Sequence, residues 1–175
     1  LKIILMKVSI VIVNFRTPQL VIDCLNALDN PSIVRFNTFI VDNNSGDGST
    51  EILDSWIRAS KCASDVKLIA NNCNNGFSAG NNIGIKESKA DFILLLNSDT
   101  IVRPNAIDHL VETLTDNPSI GLVSPRLEWP DEQPQESCFR FHRPINELIR
   151  SACTGPITKL FKRYEVPIAV GDEIS

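Results

Sequence analysis

Hydrophobic and polar positions follow two patterns that take turns along the chain. Short runs rich in β-branched and other apolar residues predict strands. Each is followed by a stretch in which apolar residues recur every three or four positions, which predicts a helix. The predicted strands are residues 8–13, 38–41, 66–70, 91–96 and 120–124.

Four predicted helices fill the intervals between these strands. Thr17 and Pro18 predict the N-cap and first turn of the first helix, Ser49 caps the second, and Pro104 opens the fourth. The third helix, residues 77–86, is weakened by two glycines. The apolar residues predicted to face inward are Leu20, Val21, Cys24, Leu25 and Leu28, then Ile52, Leu53, Trp56 and Ile57, and finally Ile107, Leu110, Val111 and Leu114.

Strands that alternate with helices predict an α/β fold, with a mostly parallel sheet, right-handed crossovers and flanking helices. The strand at 91–96 is a nearly continuous apolar run, which is typical of a strand covered by helices on both faces. After Pro125, prolines recur at short intervals and no further layer of the sheet is predicted. We therefore expect an α/β region over residues 1–127 and a separate region over residues 128–175.

Polar, amide-rich residues follow four of the predicted strands at the point where each strand ends. In open α/β sheets, ligands bind outside the carboxyl ends of the strands. One such exit alone would suit a turn for local reasons, but four at one edge predict a ligand site. The four exits are Asn14-Phe15-Arg16, Asp42-Asn43-Asn44, Asn71-Asn72 and Asn97-Ser98-Asp99.

Two of these exits carry a carboxylate. Asp42 can accept hydrogen bonds from an imide or a ribose hydroxyl, or it can cap the turn that follows. Asp99 follows an apolar run that holds it at the sheet edge, where it suits a hard cation bound by oxygen. Its alternative role is to cap the turn into Pro104. Asn97 adds a carbonyl ligand or a hydrogen bond without charge.

Residues 71–82 form an Asn- and Gly-rich loop that leads into a helix N-terminus. Small residues allow backbone to approach a ligand at such a position. The glycines do not fit GxGxxG, and the lysine of a phosphate-binding loop is missing, so the dinucleotide and NTPase interpretations are weak. Gly80 and Gly84 can instead serve close helix packing.

Composition and charge narrow the class of protein. Among 175 residues, 17 Lys and Arg against 21 Asp and Glu give a net charge of −4, which argues against nucleic acid as a partner. Five cysteines without a CxxC pair argue against a zinc or disulfide scaffold and favour a reducing compartment.

The longest apolar runs are far shorter than the about 18 residues of a membrane span. The apolar residues 1–13 are interpreted as a strand rather than a signal peptide.

A locally cationic segment follows the predicted sheet. Between Arg140 and Arg163, six basic residues stand against the single acidic residue Glu147, which fits contact with an anionic lipid surface. Arg140-Phe141-His142-Arg143 fits either a phosphate or acceptor contact or a solvated loop. Neither histidine lies in an HExxH motif, and no GxSxG motif or Cys-His pairing is present.

Four motifs lie in order across residues 8–127. They are Val11-Ile12-Val13-Asn14-Phe15, Val41-Asp42-Asn43-Asn44-Ser45 with Asp47-Gly48-Ser49, Asn72 with Asn75-Gly76-Phe77-Ser78-Ala79-Gly80-Asn81-Asn82, and Leu95-Leu96-Asn97-Ser98-Asp99-Thr100. This set resembles the inverting glycosyltransferases of family 2, which have the GT-A fold, and most closely their rhamnosyltransferase-type members.

The resemblance implies a GT-A fold that binds a nucleoside-diphosphate sugar. Asp42 would contact the base, Asn14 and Phe15 would line the base and ribose pocket, and Asp99 would carry Mg²⁺ or Mn²⁺. The further residues implied at the donor are Asn44, Asn72, Asn75, Gly76, Asn81, Asn97 and Ser98. Because Asn97 replaces the first carboxylate of the family's Asp-x-Asp, we expect weaker metal binding.

The implied reaction transfers a sugar, with inversion, from a UDP- or dTDP-sugar to a glycan or lipid-linked acceptor during synthesis of a bacterial surface polysaccharide. The resemblance places the domain in the cytoplasm, with peripheral contact at the inner membrane face as an open alternative. The general base in such enzymes is a carboxylate beyond the donor half, and Asp172-Glu173 lies in no matching context. We therefore expect a donor half that binds nucleotide with little turnover.

Two alternatives from other classes stay open. A non-catalytic nucleotide-sugar binding module is favoured by the missing base. A nucleotidyltransferase needs a glycine-rich first loop with a basic residue to hold a triphosphate, and Asn14-Phe15-Arg16-Thr17-Pro18 contains no glycine.

Overall fold

The computed structural model of the chain describes residues 7–29, 32–61 and 64–135. Within these ranges, strands and helices alternate as the sequence predicts, and the predicted α/β class is confirmed. The elements are β1 (Lys7–Asn14), α1 (Pro18–Ala27), β2 (Arg35–Asp42), α2 (Ser49–Ala59), β3 (Val66–Ala70), α3 (Phe77–Glu87), β4 (Phe92–Leu96) and α4 (Ala106–Asp116).

The four strands form one parallel sheet in the order β3-β2-β1-β4. The chain passes outward from β1 to β2 and β3, and then returns to the other side of β1 for β4. The strand order therefore reverses between β1 and β4, which is where open α/β sheets bind ligands. Asn14 pairs with Asp42 at the carboxyl ends of β1 and β2.

One face of the sheet packs against α1, α2 and α4. Ile10, Ile12 and Ile40 point to this side and are fully buried. They meet apolar residues of the three helices, which are Val21, Cys24, Leu25, Leu53, Ile57, Ile107 and Val111. Because burying one such aliphatic side chain contributes about 1.5–3 kcal/mol, this layer holds the strand ends in place.

The other face of the sheet packs against α3, which lies over β1 and β2. A Cβ atom added at Gly84 would lie 2.4 Å from Val11 Cγ1, and one added at Gly80 would lie 3.0 Å from Val13 Cγ1. Both glycines thus allow the helix to approach the sheet closely. The Ser88 hydroxyl at the end of α3 also donates a 2.7 Å hydrogen bond to Ser9 Oγ.

Helices do not cover both faces of β4 within the described residues, so that prediction is wrong. Burial alternates along the strand, and Ile93 and Leu95 are 42 % and 50 % exposed. The physical reason is that α3 packs mainly against β1 and β2. A continuous apolar run has no polar position that would mark the open face.

The prediction of a strand at residues 120–124 is also wrong, because this segment is irregular. Leu122 is 83 % exposed, and the Ile120 N–H bonds to the Asn117 carbonyl in a turn. In the described part of the chain, no strand pairs with this segment, so its β-branched residues have no surface to pack on.

Helix starts differ from the prediction by one or two residues. α4 begins at Ala106 after Asn105 rather than at Pro104, and Gly48 rather than Ser49 precedes α2. Thr17 precedes α1 as predicted, although its side chain forms no capping hydrogen bond. Two predicted core residues, Leu20 and Ile52, are 42 % and 47 % exposed, because they lie at the outer border of the apolar stripe of their helices.

The chain divides into two compact units, Leu1–Val123 and Ser124–Ser175. In the described part of the second unit, Glu128 and Pro134 form an isolated antiparallel bridge. The boundary expected between residues 127 and 128 stays a prediction. Residues 1–6 and the cationic segment from Arg140 to Arg163 lie outside the described residues.

Candidate functional site

The carboxyl ends of β1 and β2 form a buried polar pair. Asn14, the last residue of β1, is 0 % exposed, and Asp42, the last residue of β2, is 2 % exposed. The Asn14 Nδ2 group donates a 2.6 Å hydrogen bond to Asp42 Oδ1. Each strand thus extends one residue past its apolar run, and two residues predicted as exits belong to the sheet itself.

The Asp42 carboxylate organises the loop that follows β2. Its Oδ1 accepts the Ser45 hydroxyl at 2.6 Å and its Oδ2 accepts the Ser45 N–H at 3.0 Å, in addition to the bond from Asn14. Three donors therefore stabilise a carboxylate that is almost completely buried, as a buried charge requires. The predicted turn-capping role of Asp42 is observed, and its contact with a base stays a prediction.

Ser45 links the loops after β1 and β2. Its hydroxyl accepts the Arg16 N–H at 2.9 Å, and its carbonyl accepts Arg16 Nε at 3.1 Å. Arg16 adopts a left-handed backbone, with φ of 61°, which is unusual for a residue other than glycine. The guanidinium carbon lies 5.1 Å from the centroid of the Phe15 ring, which is 42 % exposed. This edge therefore presents an open aromatic ring beside a fixed cation.

A cluster of amides connects β2 to the loop before α3. Asn43 is buried, and its Nδ2 donates to Asn74 Oδ1 at 2.8 Å and to the Gly76 carbonyl at 3.2 Å. Asn71 Nδ2 in turn donates to Asn43 Oδ1 at 3.2 Å. Gly76 has φ of 89°, and its N–H bonds to Asn74 Oδ1. The cluster fixes the start of α3 against the sheet edge.

The other predicted residues around this loop are mostly exposed. Asn44, Asn72 and Asn75 all lie at the surface. Asn81 is 4 % exposed: its Nδ2 donates to the Phe77 carbonyl at 3.2 Å, and its Oδ1 has no hydrogen-bond partner among the described residues. A buried acceptor without a partner is costly, so Asn81 Oδ1 marks a polar position that a ligand or water can satisfy.

The loop after β4 carries the predicted metal ligand. Asp99 and Asn97 are exposed, and Ser98 is half-buried. Beneath them, the buried Cys24 thiol donates a weak 3.8 Å hydrogen bond to the Asn97 carbonyl. Burial, with a smaller contribution from the Asp99 charge, raises the pKa of the Cys24 thiol to about 11. Cys24 is therefore a neutral support for this loop.

Metal binding at the β4 exit would depend on few protein ligands. In residues 7–29, 32–61 and 64–135, no group of three or more His, Cys, Asp or Glu side chains converges. An exposed carboxylate beside an exposed amide nevertheless fits Mg²⁺, which is often held by one or two carboxylates together with substrate phosphates. Asp99 thus fits a metal bound jointly with a ligand rather than a preformed protein cage.

The structure brings Asn14 and Asp42 into direct contact, joins Asn43 to Gly76 just before α3, and places Asn81 within that helix. No described contact joins these residues to Asp99. The sequence placed Arg16, Asn43 and Asn71 in the polar strand exits but gave them no individual role, and it assigned no role to Ser45 or Asn74.

Comparisons with known proteins identify the family of the chain. The sequence model described as "Glycosyl transferase family 2" matches residues 9–172. The poly(ribitol-phosphate) beta-glucosyltransferase of Bacillus spizizenii is 31 % identical over 105 residues, which cover 58 % of this chain and 16 % of that protein. This chain spans 35 % or less of the first curated relatives that it matches.

Two solved structures share the fold. S. aureus TarS 1-349 in complex with UDP-GlcNAc matches with a TM-score of 0.54 at 18 % identity, over 69 % of this chain and 37 % of TarS. The mannosyltransferase PcManGT from Pyrobaculum calidifontis, in complex with GDP-Man and Mn²⁺, matches with a TM-score of 0.63 at 17 % identity, over 71 % of this chain and 36 % of that enzyme.

Proposed function

Because this chain belongs to glycosyl transferase family 2, we propose that it is the donor-binding part of an enzyme that transfers a sugar from a nucleoside-diphosphate sugar to a glycan or lipid-linked acceptor. The observation that carries this proposal is the buried Asn14–Asp42 pair, at the polar carboxyl edge of a parallel sheet whose strand order reverses beside it. Open α/β sheets bind nucleotides at such an edge.

The proposed donor is a UDP- or dTDP-sugar, and the proposed product has inverted configuration at the anomeric carbon. A uridine donor is supported by TarS, which was solved with UDP-GlcNAc, whereas PcManGT was solved with GDP-Man. GDP is therefore the necessary comparison in any binding test. A rhamnosyltransferase-type specificity rests on the sequence motifs alone and belongs to the same proposal.

The nucleotide would lie against the ends of β1 and β2. Phe15 is exposed enough to stack on a base. Asn14, Asp42 and Asn44 belong to the same proposed pocket. Asn72, Asn75 and Gly76, in the loop before α3, and Asn81, within α3, would complete the proposed donor site. The unpartnered Asn81 Oδ1 suits a hydroxyl or N–H donor of the bound donor sugar.

The proposed cofactor is Mg²⁺ or Mn²⁺ held by Asp99, with Asn97 and Ser98 beside it. When bound, such a cation stabilises the negative charge that develops on the departing nucleoside diphosphate. The exposed Asp99 carboxylate supplies one anionic ligand, and Asn97 supplies at most a neutral oxygen. The donor phosphates would therefore complete the coordination shell.

Transfer requires the acceptor hydroxyl to attack the anomeric carbon while the nucleoside diphosphate leaves. That hydroxyl must lose its proton to a general base. We assign no base to the described residues, so the activity of the whole protein needs the acceptor-side region. Polysaccharide and teichoic acid polymers are the products named for several relatives, such as the poly-beta-1,6-N-acetyl-D-glucosamine synthase of Staphylococcus epidermidis.

The location of the enzyme is part of the same proposal. Among the described residues, no helix has the length and apolar character needed to cross a membrane. We propose that the domain works in the cytoplasm and that the cationic residues between Arg140 and Arg163 touch the inner membrane face. Liposome flotation at low and high salt measures this contact.

A thermal-shift panel tests donor binding. UDP, dTDP, GDP and ADP are each added with and without Mn²⁺ to the chain and to its Asp42→Asn and Asp99→Asn variants. A ligand at a hundred times its dissociation constant stabilises the folded state by about 2.7 kcal/mol. We expect a shift with a pyrimidine diphosphate that Mn²⁺ enhances and that both variants reduce. The exposed Asp23→Asn variant is the matched control.

The absence of a shift with every nucleotide would contradict the proposed function. Binding in this chain, followed by no acceptor-dependent transfer in a longer form of the protein, would instead favour a nucleotide-sugar binding module. Transfer of labelled sugar by the longer form distinguishes an enzyme from such a module.

A further inference from the structure

Arg16 is a cation fixed at the mouth of the candidate site. It lies two residues after the end of β1, the strand beside which the sheet order reverses. Its backbone is held in the left-handed region by the hydrogen bond from its N–H to Ser45 Oγ. A residue other than glycine keeps such a conformation only where its surroundings enforce it, and such residues cluster at ligand sites.

The Arg16 guanidinium is anchored on one side and open on the other. Its Nε donates to the Ser45 carbonyl at 3.1 Å, and its planar group lies over the Phe15 ring. No described residue forms an ion pair or hydrogen bond with its two Nη groups. Asp47 lies near enough to feel the charge but forms no ion pair with Arg16, and its Oδ1 accepts the Ser49 hydroxyl and N–H. The open Nη groups can therefore donate to a ligand.

Among the described residues of the four strand-exit loops, Arg16 is the basic residue that lies at the carboxyl edge of the sheet. The loops that follow the four strands contain one other basic residue, Arg103. Arg103 lines a cavity with Ala27 and Phe36, which lie at the end of α1 and the start of β2, and so at the opposite edge of the sheet. A ligand anion at the carboxyl edge would therefore meet the Arg16 charge first.

We propose that Arg16 binds the diphosphate of the donor nucleotide through its Nη groups. This inference rests on the proposed function. A guanidinium presents its donors in a fork that matches two phosphate oxygens. The need for such a cation is greater here because Asn97 supplies no charge beside Asp99, so that a metal on this loop has one carboxylate of the chain to hold it. Arg16 shares the neutralisation of the diphosphate with that metal.

Isothermal titration with paired ligands tests this role. UDP, dTDP and GDP are titrated into the full chain at fixed salt, with EDTA and with Mg²⁺, and each matching nucleoside is measured by competition. Arg16→Asn removes the charge and keeps a residue that tolerates left-handed backbone, so thermal unfolding should stay near that of the unchanged chain. Arg16→Lys keeps the charge without the fork, and Arg35→Gln removes an exposed cation at the opposite edge as a control.

For the tightest nucleoside diphosphate, Arg16→Asn should raise Kd by about tenfold or more, the size expected for a charge-assisted hydrogen bond. The Kd of the nucleoside should change by less than about twofold. The diphosphate Kd of Arg16→Lys should lie between those of the unchanged chain and of Arg16→Asn. The loss should be larger in EDTA than in Mg²⁺, because the metal then no longer shares the charge. Arg35→Gln should bind like the unchanged chain.

Unchanged diphosphate binding in Arg16→Asn would overturn this inference and leave the proposed function standing. An equal loss for the nucleoside and its diphosphate would overturn it as well, because Arg16 would then act on the base or on the pocket shape. If the unchanged chain binds none of the three nucleotides, the proposed function and this inference both fail.

Discussion

Asn14 and Asp42 stand opposite each other in the parallel register of β1 and β2, and their side chains join through a 2.6 Å hydrogen bond. They are 28 residues apart in sequence, so the fold rather than local chain geometry creates the pair. The same carboxylate fixes Ser45, and Ser45 fixes Arg16. One buried acid thereby aligns the loops after two strands.

Replacing Asp42 with Asn should destabilise the folded chain. The amide keeps the shape but places an N–H₂ group where Asn14 and Ser45 now donate to the carboxylate. Leaving a buried donor without an acceptor costs about 1–3 kcal/mol. Chemical denaturation of Asp42→Asn should show a loss in that range, whereas Asp23→Asn, on the exposed side of α1, should lose less than about 1 kcal/mol. Equal losses in both variants would contradict the buried network.

Replacing Gly84 with Ala should also destabilise the chain, although Ala favours a helix by about 1 kcal/mol over Gly. The new methyl group would lie 2.4 Å from Val11 Cγ1, so α3 must move away from β1. Overpacking of this kind costs about 1–3 kcal/mol. Gly121→Ala, where nothing lies within 4 Å, is the control. Adding Val11→Ala to Gly84→Ala should recover part of the lost stability. If the stability losses of the two single variants simply add in the double variant, the contact is refuted.

The pH dependence of stability should reveal the Cys24 thiol. Burial raises its pKa from 9.0 to about 11 in the folded chain. The neutral thiol is therefore favoured by folding, so its contribution is complete below pH 9 and is lost as pH rises toward 11. The difference in unfolding free energy between the unchanged chain and Cys24→Ser should shrink over that interval. A difference that stays constant with pH would contradict the burial of this thiol.

Alkylation gives a second measurement of the same feature. Cys24 is 1 % exposed, whereas Cys73 lies exposed in the loop before α3. Because the reactive form is an accessible thiolate, a maleimide at pH 8 should label the Cys73 peptide rapidly and the Cys24 peptide only after unfolding. Mass spectrometry of the two peptides follows both rates. Equal labelling rates in the folded protein would count against the packing of α1 on the β4 loop.

Much of the fold follows from patterns that are local in sequence. Strand runs such as residues 66–70 and the helix signal at Thr17 and Pro18 depend on neighbouring residues alone, and the structure confirms them. The errors concern burial. Ile93, Leu95 and Leu122 have the composition of core residues, but whether another element covers them depends on the arrangement of α3 and the sheet. A sequence pattern carries no information about that arrangement.

In the candidate site, too, some residues could be predicted from local sequence, whereas others depend on the tertiary structure. Asn14, Asp42 and Asp99 could be predicted because a polar residue after an apolar strand marks the sheet edge. The contacts of Ser45 with Asn14 and Arg16 span 29 to 31 residues and depend on the parallel register. Neither the left-handed conformation of Arg16 nor the buried Asn43 amide has a local sequence signature, so structure was required to find them.

Replacing Asn97 with Asp should strengthen metal binding if Asp99 is the metal ligand that we propose. Both side chains are exposed at the end of β4, so a second carboxylate can form there without disturbing the core. Added ligand charge raises affinity for divalent cations. Titration of Mn²⁺ by electron paramagnetic resonance, with saturating UDP, should give a Kd lower by about tenfold, the equivalent of about 1.4 kcal/mol. The gain should be absent in the double variant Asn97→Asp with Asp99→Asn, because that chain again has one carboxylate at this loop instead of two. An Asn97→Asp chain that binds Mn²⁺ no better than the unchanged chain would contradict the assignment of Asp99 as the metal ligand.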